Sequence, residues 1–191
     1  MNHVIQKQLQ RESNKLKVMK NLGRELSFLG LLPIVEESGN LRSSGNFSLR
    51  FKDGFFITAS GVDKRNIDSD SIVFVPNIKN SIINIKSNKK PSRELFIHKS
   101  VYSTFSNINV VVHIHDLLVL KFGDKLRIPC TNNCIIGASK KESEEILYLL
   151  KKSPIINIKN HGQVIIGRDV EEVLELIIKF NKQAWKLNIN S

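Results

Sequence analysis

The segment Val110-Val111-Val112-His113-Ile114-His115 restricts the fold of this chain more than any other. An unbroken run of branched apolar residues reads as a buried strand, because such side chains pack well on a pleated surface and lose rotamer freedom in a helix. Alternate residues of a strand share a face, so His113 and His115 point the same way, about 6–7 Å apart. Two imidazoles so placed can converge on one metal ion. His161, followed by Gly162, ends a second apolar run (Ile155, Ile156, Ile158) and can supply a third nitrogen from a turn. Three protein ligands with a fourth position left open describe a catalytic zinc site rather than a structural one. The alternative is a pair of histidines satisfied by backbone carbonyls at a strand end.

With 191 residues, 41% of them hydrophobic, the chain can bury one sizeable core, and a single domain spanning 1–191 is expected. No stretch approaches the roughly 18 consecutive apolar residues that span a bilayer. The N-terminus lacks the apolar core of a signal peptide, so a cytoplasmic enzyme with no membrane partner is expected. Cys130 and Cys134, in Pro-Cys-Thr-Asn-Asn-Cys, suit neither a redox Cys-x-x-Cys nor a zinc knuckle, and read as free thiols. The net charge of +11 admits nucleic acid or anionic ligands. Its lysines are scattered, however, with no recognition helix and no aromatic–basic interleaving. The charge favours anionic small molecules over a nucleic-acid partner.

Leucines at a 3–4 spacing predict a helix over about 4–32, stopped by Pro33. A Ser/Gly/Asn-rich turn follows over 37–46. Asp53-Gly54 between apolar runs predicts a hairpin of strands 47–51 and 55–58. Further strands are expected at 72–75, 82–85, 110–115, 155–158 and 164–166. Helices are expected at 92–102 and 140–151, and after Asp169, where Val173, Leu176, Ile177 and Phe180 share a face.

Three small-residue segments place hydroxyls and backbone amides where an anion can sit: Ser44-Gly45-Asn46, Ser60-Gly61, and Pro91-Ser92-Arg93-Glu94 at a helix start. Each alone is also an ordinary turn or helix start. Their order carries more. Gly-Asn-x-Ser-x-Arg is followed by Thr-x-Ser-Gly, then Pro-Ser-x-Glu-x-x-x-His-x-x-x-Tyr, then Val-Val-His-x-His, then Asn-His-Gly. This series, from about Leu22 to Trp185, resembles the class II aldolase/adducin family, and within it the fuculose-1-phosphate aldolase branch.

The resemblance implies an α/β fold, a single layered domain with a central mostly antiparallel β-sheet flanked by α-helices. It also implies a homotetramer with active sites near subunit boundaries. By position, His113, His115 and His161 would bind one Zn²⁺ per chain and Glu94 would be the acid/base. Ser44, Gly45, Asn46, Ser60, Gly61 and Ser92 would cradle a substrate phosphate. The implied activity is a zinc-dependent lyase that cleaves a small phosphorylated ketose through a metal-stabilised enediolate. A carboxylate beside that centre moves the proton. Amides and hydroxyls can hold phosphate without competing for the metal.

Several features separate the chain from that branch. Arg93 stands where the aldolase has a second phosphate-binding serine, and a guanidinium there can grip a phosphate or a substrate carboxylate. The interval from His115 to His161 is shorter, and a C-terminal tail that completes the aldolase site is expected to be missing. Thr58-Ala-Ser-Gly-Val-Asp-Lys64 resembles methylthioribulose-1-phosphate dehydratases of the same family, which keeps a dehydratase or decarboxylase open. Epimerases tend to carry Asp in place of Glu94. The adducin branch, an interaction module, lacks the zinc ligands that this chain keeps. His98 is read as core packing; Asp116 points to the opposite face from His115 if the strand continues, and a supporting role behind the histidines stays open.

Overall fold

The computed structural model describes residues 3–37, 39–76, 88–137 and 139–191. Helix α1 (His3–Phe28) buries Met19, Leu22 and Leu26 on one stripe. It ends before the proline that was expected to stop it. Gly30 takes φ +72°, Leu31 N–H donates to Leu26 O (3.0 Å) and Gly30 N–H donates to Ser27 O (3.0 Å). This is a Schellman closure, with Leu31 packed beside Leu26, and it requires a residue that tolerates the left-handed region. The next segment, expected as a turn, is instead a two-stranded ribbon of β1 (Ile34–Glu37) and β2 (Asn40–Ser43).

The predicted hairpin is present as β3 (Asn46–Phe51) and β4 (Gly54–Thr58). Strand β5 (Ile72–Val75) adds to β4; the strand expected at 82–85 lies outside the described residues. Helix α2 (Leu95–Thr104) begins three residues later than expected. Then follow β6 (Val110–Ile114), the short α3 (Leu117–Lys121), α4 (Lys140–Leu150), β7 (Ile155–Ile158), β8 (Gly162–Gly167) and α5 (Val170–Ile189). Caps mark the helix starts: Asp116 for α3, a Ser139–Glu142 capping box for α4, and Asp169 for α5.

Among the described residues, six strands form one antiparallel sheet in the order β5-β4-β3-β6-β8-β7. Its two faces carry separate apolar cores. Val111, Ile156, Val164 and Ile166 pack with α2 and α4, whereas Val112, Ile114, Phe47 and Ile165 pack with α1 and α5. Alternation along β6 therefore sends His113 to the α2 side, opposite Val112 and Ile114. No described helix is long and apolar enough to cross a membrane.

Candidate active site

The histidines converge as the strand argument requires. Among the described residues, His113, His115 and His161 have one ligand atom each within 4.8 Å of one another. Their ring centroids form a near-equilateral triangle of 4.8, 4.8 and 4.9 Å. Register brings the third one in: Ile114 pairs with Gln163 and Ile158 with Gly162, so the 159–161 turn sits beside the end of β6. Asn160 takes φ +56° in that turn.

Two tautomers are set by the backbone. His113 Nδ1 lies 2.9 Å from Gln163 O and His161 Nδ1 lies 2.6 Å from Ile135 O. A carbonyl only accepts, so both Nδ1 atoms carry the proton and both Nε2 lone pairs face inward. Burial lowers the pKa of His113, opposed by the nearby Glu94. Burial and then the neighbouring histidines lower His115 to about 4. Neutral imidazoles are the form that binds a metal. Gly162 makes the approach possible, since a Cβ there would strike Ile114 O and lie 2.9 Å from His115 Cδ2 and 3.2 Å from His113 Cε1. The donor set and its outer hydrogen bonds fit a divalent ion.

Glu94 is the N-cap residue of α2 but makes no side-chain cap bond. Its carboxylate turns to the histidines: Oε1 is 3.5 Å from His113 Nε2 and 3.9 Å from His161 Nε2. Oε2 accepts from Asn46 Nδ2 at 2.6 Å. The group is 6% exposed, so its charge is felt strongly by whatever lies at the triad.

One cleft runs from this carboxylate outward. Its walls include Ser44, Gly45, Asn46, Ser60, Gly61, Ser92 and Arg93, the whole set expected from sequence. Gly45 needs its glycine, with φ +71° and a would-be Cβ 2.6 Å from His113 O. Arg93 is exposed at the mouth. Asn46 lines the cleft, yet both polar atoms of its side chain have inward partners, Glu94 and His98.

Arg42 and Lys64 also line the cleft, and neither was singled out from sequence. Lys64 is 3% exposed and its ammonium donates to Ser43 O at 2.7 Å. Burial, then the Arg42 charge, pushes its pKa down to about 8. It closes the Thr58–Lys64 stretch, but its burial depends on β2, which occupies a segment expected as a turn. Strand β6 ends at Ile114, so the alternation expected to orient Asp116 does not reach it; Asp116 instead caps α3 and accepts from Asn181 Nδ2 at 2.7 Å. His98 is buried as expected, but it is hydrogen-bonded on both nitrogens.

Comparison with known proteins agrees with this geometry. The family profile described as Class II Aldolase and Adducin N-terminal domain matches residues 35–185. An L-fuculose phosphate aldolase of Haemophilus influenzae is 29% identical over 80% of this chain and 76% of its own. A 5-methylthioribulose-1-phosphate/5-deoxyribulose-1-phosphate aldolase of Escherichia coli is 36% identical over 72% of this chain and 70% of its own. The crystal structure of the L-fuculose-1-phosphate aldolase from Thermus thermophilus superposes with a TM-score of 0.77, at 20% identity, over 93% of this chain and 94% of that one. The chain belongs to the class II aldolase and adducin family, and among its relatives it stands with the sugar-phosphate aldolases.

Proposed function

We propose that this protein is a zinc-dependent aldolase that cleaves a small phosphorylated ketose to dihydroxyacetone phosphate and an aldehyde. The observation that carries the reading is Glu94 Oε1 facing the inward nitrogens of a three-histidine cluster at 3.5 and 3.9 Å, with an anion-sized cleft beside it. His113, His115 and His161 would hold the ion, which when bound supplies a Lewis acid for charge developing on the substrate's ketone and hydroxyl oxygens. The Gly45 and Gly61 amides and the Ser60 and Ser92 hydroxyls would orient the phosphate, whereas Ser44 lines the cleft with its N–H and hydroxyl both donating to Pro33 O. Lys64 and Arg93 add positive charge to that end of the cleft. As the carbon–carbon bond breaks, the Glu94 carboxylate takes the proton from the hydroxyl that becomes the aldehyde oxygen, and Oε1 then returns that proton to the carbon left with the electron pair.

We infer further that the chain acts as one domain over 1–191 and assembles as a homotetramer. Phe28, at the end of α1, and Leu117, at the start of α3, support the assembly: they are large apolar side chains left 92% and 71% exposed. Free Cys130 and Cys134 suit a reducing, cytoplasmic compartment.

A dehydratase is the second reading, favoured by one observation: the buried Lys64 of the Thr58–Lys64 stretch lines the cleft. Incubating the zinc-loaded protein with a panel of ketose 1-phosphates and identifying the products separates the two. Release of aldehyde and dihydroxyacetone phosphate is expected; loss of water with the carbon chain intact would replace the aldolase reading. Glu94→Gln should keep zinc while kcat falls roughly 10²–10⁴-fold.

A further inference from the structure

Helix α2 and strand β3 meet through polar side chains where a sheet–helix contact needs only apolar ones. Phe47 and Leu49 of β3 enter the α1/α5 core, so Asn46, Ser48 and Arg50 face α2. The matching residues of α2 and its N-cap are Glu94, His98 and Tyr102. Four residues of helix rise about 6 Å and two residues of strand about 6.6 Å, so the two repeats stay in step for three rungs. The rungs are all made. Asn46 Nδ2 donates to Glu94 Oε2 (2.6 Å), and Asn46 Oδ1 meets His98 Nε2 (2.6 Å). His98 Nδ1 meets Ser48 Oγ (2.6 Å), and Ser48 Oγ meets Tyr102 OH (2.8 Å). Arg50 ends the row, its guanidinium 4.8 Å from the Tyr102 ring centroid and donating to Tyr102 O, Phe105 O and Ile108 O.

Ser48, His98 and Tyr102 are 0%, 1% and 2% exposed. Burying so many polar atoms is favourable only if each finds a partner, and an apolar contact would serve the fold more simply. The direction of the bonds supplies a reason. A carboxylate only accepts, so Asn46 turns its amide nitrogen to Glu94 and its oxygen to His98. That oxygen only accepts, so His98 carries its proton on Nε2. A neutral ring then accepts at Nδ1, and the Ser48 hydroxyl donates to it. Ser48 Oγ in turn takes the Tyr102 hydrogen, which Ser48 O shares at 3.0 Å. Burial keeps the His98 ring neutral, its pKa lowered to about 3. Every bond in the row thus runs towards Glu94.

We propose that His98 and Asn46 are positioning residues for Glu94: the row Tyr102–Ser48–His98–Asn46 ties down Oε2 and leaves Oε1 as the working oxygen that faces the histidine triad. The proposal rests on the reading of Glu94 as the proton carrier. Without the His98 donor, the Asn46 amide is free to turn over and set Oδ1 against Oε2, acceptor against acceptor, and the carboxylate loses its anchor. Metal and phosphate are held by other residues, so the loss belongs to kcat.

Nitrogen-15 NMR of histidine-labelled protein tests the polarity without any assay. His98 should hold its proton on Nε2, with Nδ1 bare, from about pH 5.5 to 8. The Nδ1-protonated form, or a charged ring, would overturn the proposal. His98→Leu should lower kcat roughly 10–100-fold, the usual effect of losing an outer hydrogen-bond partner, with zinc content and KM unchanged. His98→Gln, whose amide can donate to Asn46 and accept from Ser48, should recover most of that loss. Equal losses in the two variants, or a change in KM instead of kcat, count against positioning. Full activity in His98→Leu beside an inactive Glu94→Gln would refute positioning alone. Full activity in Glu94→Gln would remove the proton role and the proposal with it. Should His98→Leu fail to fold, the tautomer measured in the unaltered protein still decides.

Discussion

Single atoms set the tolerance of this site. Gly162 is the clearest case, because the space its missing Cβ leaves is occupied by Ile114 O and the rings of His113 and His115. Gly162→Ala should lower zinc affinity roughly 10–100-fold by displacing two ligands and cost about 1–3 kcal/mol through overpacking. Competition against a metallochromic chelator, together with denaturant unfolding, measures both; unchanged affinity would mean the rings can shift without losing the ion. Arg93 poses a different question, since it is exposed, lines the cleft and carries a guanidinium in place of a short hydroxyl. If its guanidinium grips the phosphate, Arg93→Ser should weaken every phosphorylated ligand by about 1–3 kcal/mol, the scale of a charged hydrogen bond. Calorimetric titration with inorganic phosphate and with acidic and neutral sugar phosphates checks this. An effect confined to the acidic ones would assign Arg93 to a substrate carboxylate.

At the scale of elements, the pairing of α2 with β3 ties stability to pH. His98 has its pKa lowered from an ordinary 6.5 to about 3, and His115 to about 4, both chiefly by burial. Between those values and 6.5 the unfolded chain binds more protons than the folded one. Stability therefore rises with pH up to about 6.5 and falls on acidification, by as much as about tenfold in the folding constant per pH unit for each histidine. Thermal unfolding of the chelator-treated protein should show the midpoint dropping between about pH 6.5 and 4.5, and His98→Gln should flatten the slope. A flat profile in the unaltered protein would contradict a neutral, buried His98.

For the molecule as a whole, the prediction is one of assembly. Phe28, at the end of α1, and Leu117, at the start of α3, are large apolar side chains left exposed. Analytical ultracentrifugation should find a tetramer, and Phe28→Asp or Leu117→Asp should yield smaller species that still bind zinc, since neither residue is a ligand. A monomeric unaltered protein would rule out both the tetramer and a contact role for those apolar groups.

Much of this architecture was legible locally. The branched run into His-x-His, Asp53-Gly54 at the hairpin and Asp169 before α5 each carry a period or a cap that needs no distant partner, and each element is present where expected. The order of the motifs pointed to all three histidines and to Glu94. What the chain alone did not settle depends on residues far apart in sequence. His161 reaches the triad through the pairing of Ile158 with Gly162 and Ile114 with Gln163. Lys64 enters the cleft because β2 folds where a turn was expected, and α1 stops at Gly30 because a left-handed glycine closes it before Pro33. Asn46 looked like part of an anion cradle and His98 like packing, for a one-dimensional pattern records which face a residue occupies but not which atom waits across it. Only the register of β3 against α2, joining residues about fifty positions apart, turned two ordinary polar side chains towards one carboxylate.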